Sequence, residues 1–463
     1  HCFYQVIYMV FFPKKIKFNP VIISIIAVII VTVSYLYGIP FLDLMELKTV
    51  DLRFKSRGSV PTLSNVVLAV IDEKSIAKEG KWIWPRSKMA ELVNRLSNAG
   101  AKVIAFDIGF LEADEKSTVR AIEEIQKKMG DLNQSNPSLA KYLEDLKFHT
   151  DNDRLLANAI RNSKAKVILG YFFQTDKTSA GHIDEKEIRM HQNNVQSSEY
   201  KSISYSSESA RNAPLIETFS PQSNIKVISE TTGYSGYFNM FPDEDGVVRW
   251  IPAVLKCRES IYAPLSVVTV SAFLDSQPSV QLYEYGVGEI KIGDMSIPTD
   301  EIGRIIINYR GPGKTFPHIP VTDILKGEAD ANITNIIKDK IVLVGATAVG
   351  VYDLRVTPFS TVFPGLEIHA NVIDSILGKD FMYHPSWANI FDIFAIIIAG
   401  LFLGIIVPRT KVLAGAASSF FLFFGYILLC QLLFSGKGWI LNLVYPLSVM
   451  IIVYVSITLY MYI

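Results

Sequence analysis

Four stretches of the chain are apolar almost throughout: Pro20–Ile39, Asn389–Val407, Val412–Phe434 and Trp439–Ile463. Each is close to the ~20 residues that a helix needs to cross a bilayer. The last three are joined by very short turns, a hairpin array more in keeping with a membrane than with a water-soluble core. Between the first and second stretches the pattern changes to short runs. Val66–Ile71 is apolar throughout and rich in β-branched residues, as in a strand buried on both faces, and it stops at Asp72. Lys102–Phe106 repeats that pattern and stops at Asp107. Between them Met89, Leu92, Val93 and Leu96 recur at helical spacing, and Asn98-Ala99-Gly100 closes the helix with a residue that accepts positive φ. Strand, helix and strand make a βαβ unit, whose two strands are expected to be parallel neighbours joined right-handedly.

The same reading extends along the chain. Leu42–Phe54 is expected to be a helix leaving the membrane, with Leu44, Leu47, Val50 and Phe54 on one face and Asp43, Glu46, Lys48 and Asp51 elsewhere. Glu112–Asp153 is a charged, roughly amphipathic interruption broken near Asn136-Pro137. Asp153–Ser163 reads as a helix, Val167–Phe173 as a third parallel strand, and the polar Thr175–Ala213 as a projecting loop. From Gly233 the texture becomes antiparallel: Gly236–Asn239, an Asp243-Glu244-Asp245-Gly246 turn, and Val247–Lys256 returning. Ala263–Phe273 reads as a buried helix, Gln281–Ile297 as a hairpin and Arg304–Tyr309 as a strand. Lys340–Gly345 is a further parallel-type strand, and Gly365–Leu377 a helix leading back towards the membrane. The expected fold class is therefore α/β: an extracytoplasmic mixed sheet with a parallel βαβ core plus antiparallel hairpins, attached to four transmembrane helices.

Charge gives this arrangement a direction. Lys14, Lys15 and Lys17 precede the first span, and Arg409 and Lys411 occupy the turn between the second and third, whereas the turn before the fourth carries only Lys437. By the positive-inside rule the basic cluster and the Arg409 turn are cytoplasmic, so residues 1–19 and the C-terminus face the cytoplasm and residues 40–388 lie outside. Tyr35, Tyr37 and Phe41 stand where a cleaved signal needs small residues, which favours an uncleaved anchor. Trp387 and Trp439 fall where interfacial aromatics are expected. The 45 basic and 45 acidic side chains cancel, so net charge makes no argument for a nucleic-acid partner. Cys257 is the only cysteine in the polar middle, with Cys2 and Cys430 at the ends, which leaves neither an internal disulfide nor a zinc-type cluster. The first residue is His1 rather than methionine, so a fragment or trimmed product is expected.

Candidate chemistry gathers past the C-terminal ends of the parallel-type strands, where ligands collect in open α/β sheets. Asp72, Asp107, Gly345 and Thr347 stand there, and Trp84, Arg86, Asp114, Asp353 and Arg355 are candidates for the same signal-sensing rim. Helix capping and loop salt bridges are the alternative role for these acids and arginines. Asp243-Glu244-Asp245-Gly246 resembles a calcium loop, but Val247 and Val254 fall where oxygen ligands are required, and a hairpin turn fits better. Gly345-Ala346-Thr347-Ala348-Val349-Gly350 has neither the dinucleotide glycine pattern nor a phosphate-binding lysine. His182, His191, His318 and His369 are not spaced as metal ligands. No GxSxG motif and no Asp-x-Asp after the first strand are present, so no catalytic residue, metal or cofactor is expected.

Taken together, nine segments in order resemble the second class of CHASE sensors, the extracytoplasmic input domain of bacterial cyclases and kinases. They are Asp51-Leu52-Arg53-Phe54, Val70-Ile71-Asp72-Glu73-Lys74-Ser75, Trp84-Pro85-Arg86, Gly100 through Asp107, Asp245 through Arg249, Asn308 through Pro312, Val342 through Thr347, Asp353 with Thr357-Pro358, and Pro364 through Ala370. The resemblance spans about Leu42 to Met382, and the three closing spans match the family's usual arrangement. It implies a receptor in the bacterial inner membrane with an unknown extracytoplasmic signal, lipid around its spans and a homodimeric state. It also implies a cytoplasmic effector, most often a class III adenylate or guanylate cyclase and otherwise a serine/threonine or histidine kinase. A stand-alone membrane-anchored binding protein is the remaining alternative. Glu115–Thr150 and Thr175–Ala213 depart from the compact family pattern as insertions.

Overall fold

The computed structural model describes residues 19–114, 117–131, 137–176, 184–326, 331–348 and 354–462. It divides into two compact units, one made of residues up to Arg57 together with His384 onwards, the other of Gly58–Tyr383.

In the larger unit a seven-stranded sheet carries the core. Its order runs His318–Pro320, Val66–Ile71, Ile341–Ala346, Val103–Phe106, Lys166–Gln174 and Ser220–Gln222, and Ser235–Tyr237 also pairs with the fifth of these. The first five are mutually parallel, and Ser220–Gln222 closes the edge antiparallel. Val66–Ile71 is buried at every position, as its unbroken apolar run requires. The two strands of the expected βαβ unit are parallel but not neighbours. Ile341–Ala346 lies between them, pairing Val342 with Val67 on one side and with Ile104 on the other. A strand apolar on both faces is best buried in the middle of a sheet, and a crossover helix can step over one strand as readily as none.

The helix Arg86–Asn98 buries Met89, Leu92, Val93 and Leu96 against Val67, Ala69 and Ile71, and Leu156 and Ile160 of the Asn152–Asn162 helix join that core. Leu265–Leu274 and Gly365–Gly378 pack against each other and against the sheet. Leu265–Leu274 is buried along nearly its whole length, its small polar residues Ser266, Thr269 and Ser271 included.

The antiparallel parts differ from expectation. Val247–Lys256 does not return against Gly236–Asn239. Ser235–Tyr237 instead runs parallel to Lys166–Gln174, while Trp250–Pro252 pairs with Arg304–Ile306 and Leu255–Cys257 with Ser260–Tyr262. The Asp243–Gly246 turn is held by Arg249, which bonds Asp243 at 2.9 Å and Asp245 at 2.7 Å. Those carboxylates are thus engaged by a cation of the same chain. Pro278–Tyr283, Gly286–Ile292 and Met295–Ile297 form a three-stranded meander rather than a simple hairpin. Of the expected Thr175–Ala213 loop, residues 177–183 lie outside the described residues, and the rest carries regular structure: Glu185–Asn194 is helical, and Ser202–Tyr205 adds a parallel strand to the meander.

Within the smaller unit Pro20–Tyr37, Ala388–Arg409, Val412–Lys437 and Val444–Met461 are helices long and apolar enough to cross a membrane. Ala27, Val28, Val31, Ile396, Leu403, Val449 and Val453 make a core among the first, second and fourth, against which Leu422, Phe423 and Tyr426 of the third pack. Gly400 and Gly404 let the first two approach closely, since a Cβ at either would stand 2.3 Å from Val28 or 2.1 Å from Ser24. Trp439–Leu443 is not part of the fourth helix, which begins five residues later than its apolarity suggests.

One buried charge closes the large unit. Arg310 is 3% exposed; its Nε donates to Asp374 at 2.8 Å, its Nη1 reaches Asp380, and its backbone N–H donates to Asn371 at 2.7 Å. Asp374 also accepts from the Leu63 N–H at 2.9 Å. Replacing Arg310 by Met is expected to destabilise this unit by about 3–5 kcal/mol in denaturant unfolding, because Asp374 is left as an uncompensated buried charge. Removing both charges together, Arg310→Met with Asp374→Leu, is expected to cost less than Arg310→Met alone.

Candidate functional site

The strand ends set the position of the site. Val66–Ile71 and Ile341–Ala346 finish side by side, and the chain leaves one at Asp72 and the other at Thr347. Beside them the loop before His318–Pro320 brings in Lys314 and His318, and the approach to Gly365–Gly378 brings in Ser360. These side chains, with Glu73, line an open cleft of about 520 Å³ that has Val362 and Pro364 among its apolar wall.

Asp72 spends one oxygen on the following short helix, accepting from the Ser75 N–H at 2.8 Å and the Ser75 hydroxyl at 2.7 Å. The opposite wall is fixed from behind by Glu367. This carboxylate is fully buried and accepts the backbone N–H groups of Lys314 and Thr315 at 2.9 Å and of Phe316 at 3.4 Å. A loop whose N–H groups converge is an anion nest, and here the chain fills it with its own anion. His318 Nε2 lies 3.8 Å from the same carboxylate, while its Nδ1 faces the Phe316 carbonyl at 2.8 Å. Lys314 is solvent-exposed with φ +71°, a left-handed conformation that costs an L side chain energy unless its surroundings impose it.

The other rim candidates separate into groups. Gly345 lies inside its strand, where a Cβ would stand 2.9 Å from Leu366, so it serves close packing. Trp84 is 2% exposed within the core and donates its indole N–H to the Gly80 carbonyl at 2.8 Å. Arg86 and Asp114 form a lock at the start of the Arg86–Asn98 helix: Asp114 accepts the Arg86 N–H at 2.9 Å and the Asn152 amide at 2.9 Å, and its own N–H donates to Asp153. The Arg86 guanidinium stands over the Phe110 ring at 4.8 Å, and burial lowers its pKa. Asp107 ends Val103–Phe106, 4.0 Å from the buried His369. Arg355 belongs to a short strand paired with Phe363–Pro364, and Asp353 lies outside the described residues. Of the expected rim, Asp72 and Thr347 come together at the cleft. Lys314 and Ser360 had no motif to mark them, and Glu367, though inside the Pro364–Ala370 segment, was not singled out, because their roles come from a turn and from partners distant in sequence.

The smaller unit holds a second polar constellation. Asp43, Glu46, Thr49 and Arg53 lie along one face of the helix Pro40–Arg57. Glu46 accepts Arg53 Nη2 at 2.6 Å and the Thr49 hydroxyl at 2.9 Å with one oxygen. With the other it accepts the N–H groups of Leu443 and Val444, both at 2.8 Å, and so caps the last apolar helix. Arg53 also donates to the Leu441 carbonyl at 2.9 Å, Asp43 accepts from Tyr445 at 2.8 Å, and Asp392 accepts the Asn442 N–H at 3.2 Å. The sequence reading put Asp43 and Glu46 off the packing face; the structure shows that face is also engaged.

A sequence model of the CHASE2 domain matches residues 25–406 of the chain. No curated protein and no solved structure matches it.

His369 yields a pH prediction. It is 1% exposed, neither ring nitrogen has a hydrogen-bond partner among the described residues, and burial pushes its pKa down to about 3. The unfolded chain therefore takes up a proton near the ordinary value while the folded one does not. The stabilising contribution is complete above pH ~6.5 and is lost as pH falls towards 3, at up to about 1.4 kcal/mol per pH unit. Urea unfolding between pH 7 and 5 is expected to show that slope, and His369→Leu is expected to flatten it.

Proposed function

The chain belongs to the CHASE2 domain family, and from that premise we propose that this sensory input drives a nucleotide cyclase of class III across a bacterial inner membrane. On this reading the four apolar helices span the bilayer, both termini are cytoplasmic and residues 58–383 sit outside. Two chains act together, because cyclases of that class build their catalytic sites from two halves.

The observation that carries the receptor reading is the clasp of Glu46 and Arg53. The Pro40–Arg57 helix runs directly into Gly58, the first residue of the large unit, while its own side chains hold the backbone at the head of the last apolar helix. A signal that turns or lifts this helix must move Glu46 with it. The cap on Val444 then shifts, and the helix follows. Two arrangements of the clasp, biased by ligand, are enough for transmission.

Two measurements test this. Sequencing the reading frame beyond Ile463 separates the effectors: paired metal-binding aspartates in a cytoplasmic domain support the cyclase, and a glycine loop with lysine and catalytic aspartate replaces it by a kinase. A stop codon there removes the in-chain effector. In the receptor expressed from that frame, Glu46→Gln is expected to reduce the signal-dependent change in output by at least about fivefold, the lower end of ordinary allosteric coupling. Unchanged signal dependence in Glu46→Gln and Arg53→Met would remove the clasp from the transmission path.

A further inference from the structure

The receptor reading requires a ligand, and the inference here rests on that reading: we propose that the cleft between Asp72 and Lys314 binds a small zwitterion, a free α-amino acid. The cleft opens at the C-terminal edge of parallel strands, the usual place for a ligand in such sheets. Its lining carries both signs of charge. One oxygen of Asp72 caps its helix, and the other has no hydrogen-bond partner among the described residues. The Lys314 ammonium likewise has no ion-pair partner among them, although Lys74 on the neighbouring short helix is paired with Asp323. Lys314 is also held at φ +71° by the Glu367 clamp, so its backbone is fixed before any ligand arrives.

Each simpler ligand class leaves one wall unsatisfied. A dicarboxylate or phosphate ester would meet the Asp72 carboxylate with, among the described lining residues, Lys314 and His318 alone to oppose it. The short helix after Asp72 offers no rescue, because Asp72 itself accepts from its first turn. A diamine would be drawn to Asp72 and repelled by Lys314. An α-amino acid places its ammonium at Asp72 and its carboxylate at Lys314, with the Thr347 hydroxyl beside them. Val362 and Pro364 leave an apolar border for a short side chain.

Calorimetric titration of the full chain in lipid nanodiscs with the common α-amino acids tests this directly, with propionate and propylamine as half-ligands. At least one amino acid is expected to bind saturably, and each half-ligand about tenfold more weakly or worse. Lys314→Gly and Asp72→Asn are each expected to weaken binding by about tenfold while the melting temperature is kept. Glycine accepts the φ of position 314, and asparagine retains the helix cap, so loss of binding in these variants is not loss of fold. No binding by any amino acid, equal binding of a half-ligand, or indifference to both substitutions overturns the proposal. The titration needs no signalling output, so its failure leaves the clasp experiment standing, and failure of the clasp experiment leaves an amino-acid site standing.

Discussion

A backbone N–H or C=O surrounded by hydrocarbon must find a partner within the protein, and in this chain that constraint decides how the apolar helices begin and what holds them. Trp439–Leu443 is apolar enough to extend a span, yet it is not helical, so its polar groups need partners from elsewhere. They come from three other helices. Arg53 takes the Leu441 carbonyl, Asp392 the Asn442 N–H, Tyr426 the Asn442 carbonyl, and Glu46 the next two N–H groups. Nothing apolar could replace these side chains without orphaning backbone, which ties the juxtamembrane helix to the last span more tightly than packing alone would.

The large unit uses charge in a related way. Glu367 and Asp374 are carboxylates of one helix, both essentially inaccessible; Glu367 gathers loop N–H groups far away in sequence, and Asp374 takes the Leu63 N–H and the Arg310 guanidinium. Glu367 shapes the Lys314 turn, and Asp374 with Arg310 fixes the chain at Leu63 and Arg310. Hydrogen bonds to a charged acceptor are short and strong, so these contacts act as rigid pins. The Glu367 pin behind the Lys314 turn favours a preorganised cleft, in which little ordering has to accompany binding.

How much of this was legible follows from distance along the chain. Val66–Ile71, Arg86–Asn98 and the apolar helices announced themselves because their signal is local periodicity. The CHASE resemblance was likewise legible, since its segments recur in order. Strand order was not: Ile341–Ala346 reads as a buried strand, but nothing local says that it enters between two strands more than two hundred residues earlier. The Val247–Lys256 hairpin failed for a similar reason. Asp-Gly is a fair turn signal, yet Arg249 sits where it binds both acids of that turn, and the strand after it found Arg304–Ile306 instead. Of the rim, Asp72 reaches the cleft and Asp107 stands instead beside His369, whereas Lys314 and Glu367 gained meaning only through one another.

Glu46 shows the same limit in its sharpest form, and also why a clasp of this kind suits transmission. On a helical wheel it is one more charge on a polar face; its partners Leu443 and Val444 stand almost four hundred residues away. Glu46 and Arg53 are mostly but not fully withdrawn from solvent, with side-chain exposures of 15% and 4%. Burial makes the pair costly to break, and the partial exposure of Glu46 gives that charge somewhere to go when it breaks, so the closed and open arrangements need not differ by the full penalty of two orphaned interior charges. A fully buried pair would be a fixed joint, and a fully exposed one would transmit nothing. The intermediate case is the one in which a ligand contributing a few kcal/mol of differential binding can shift the balance.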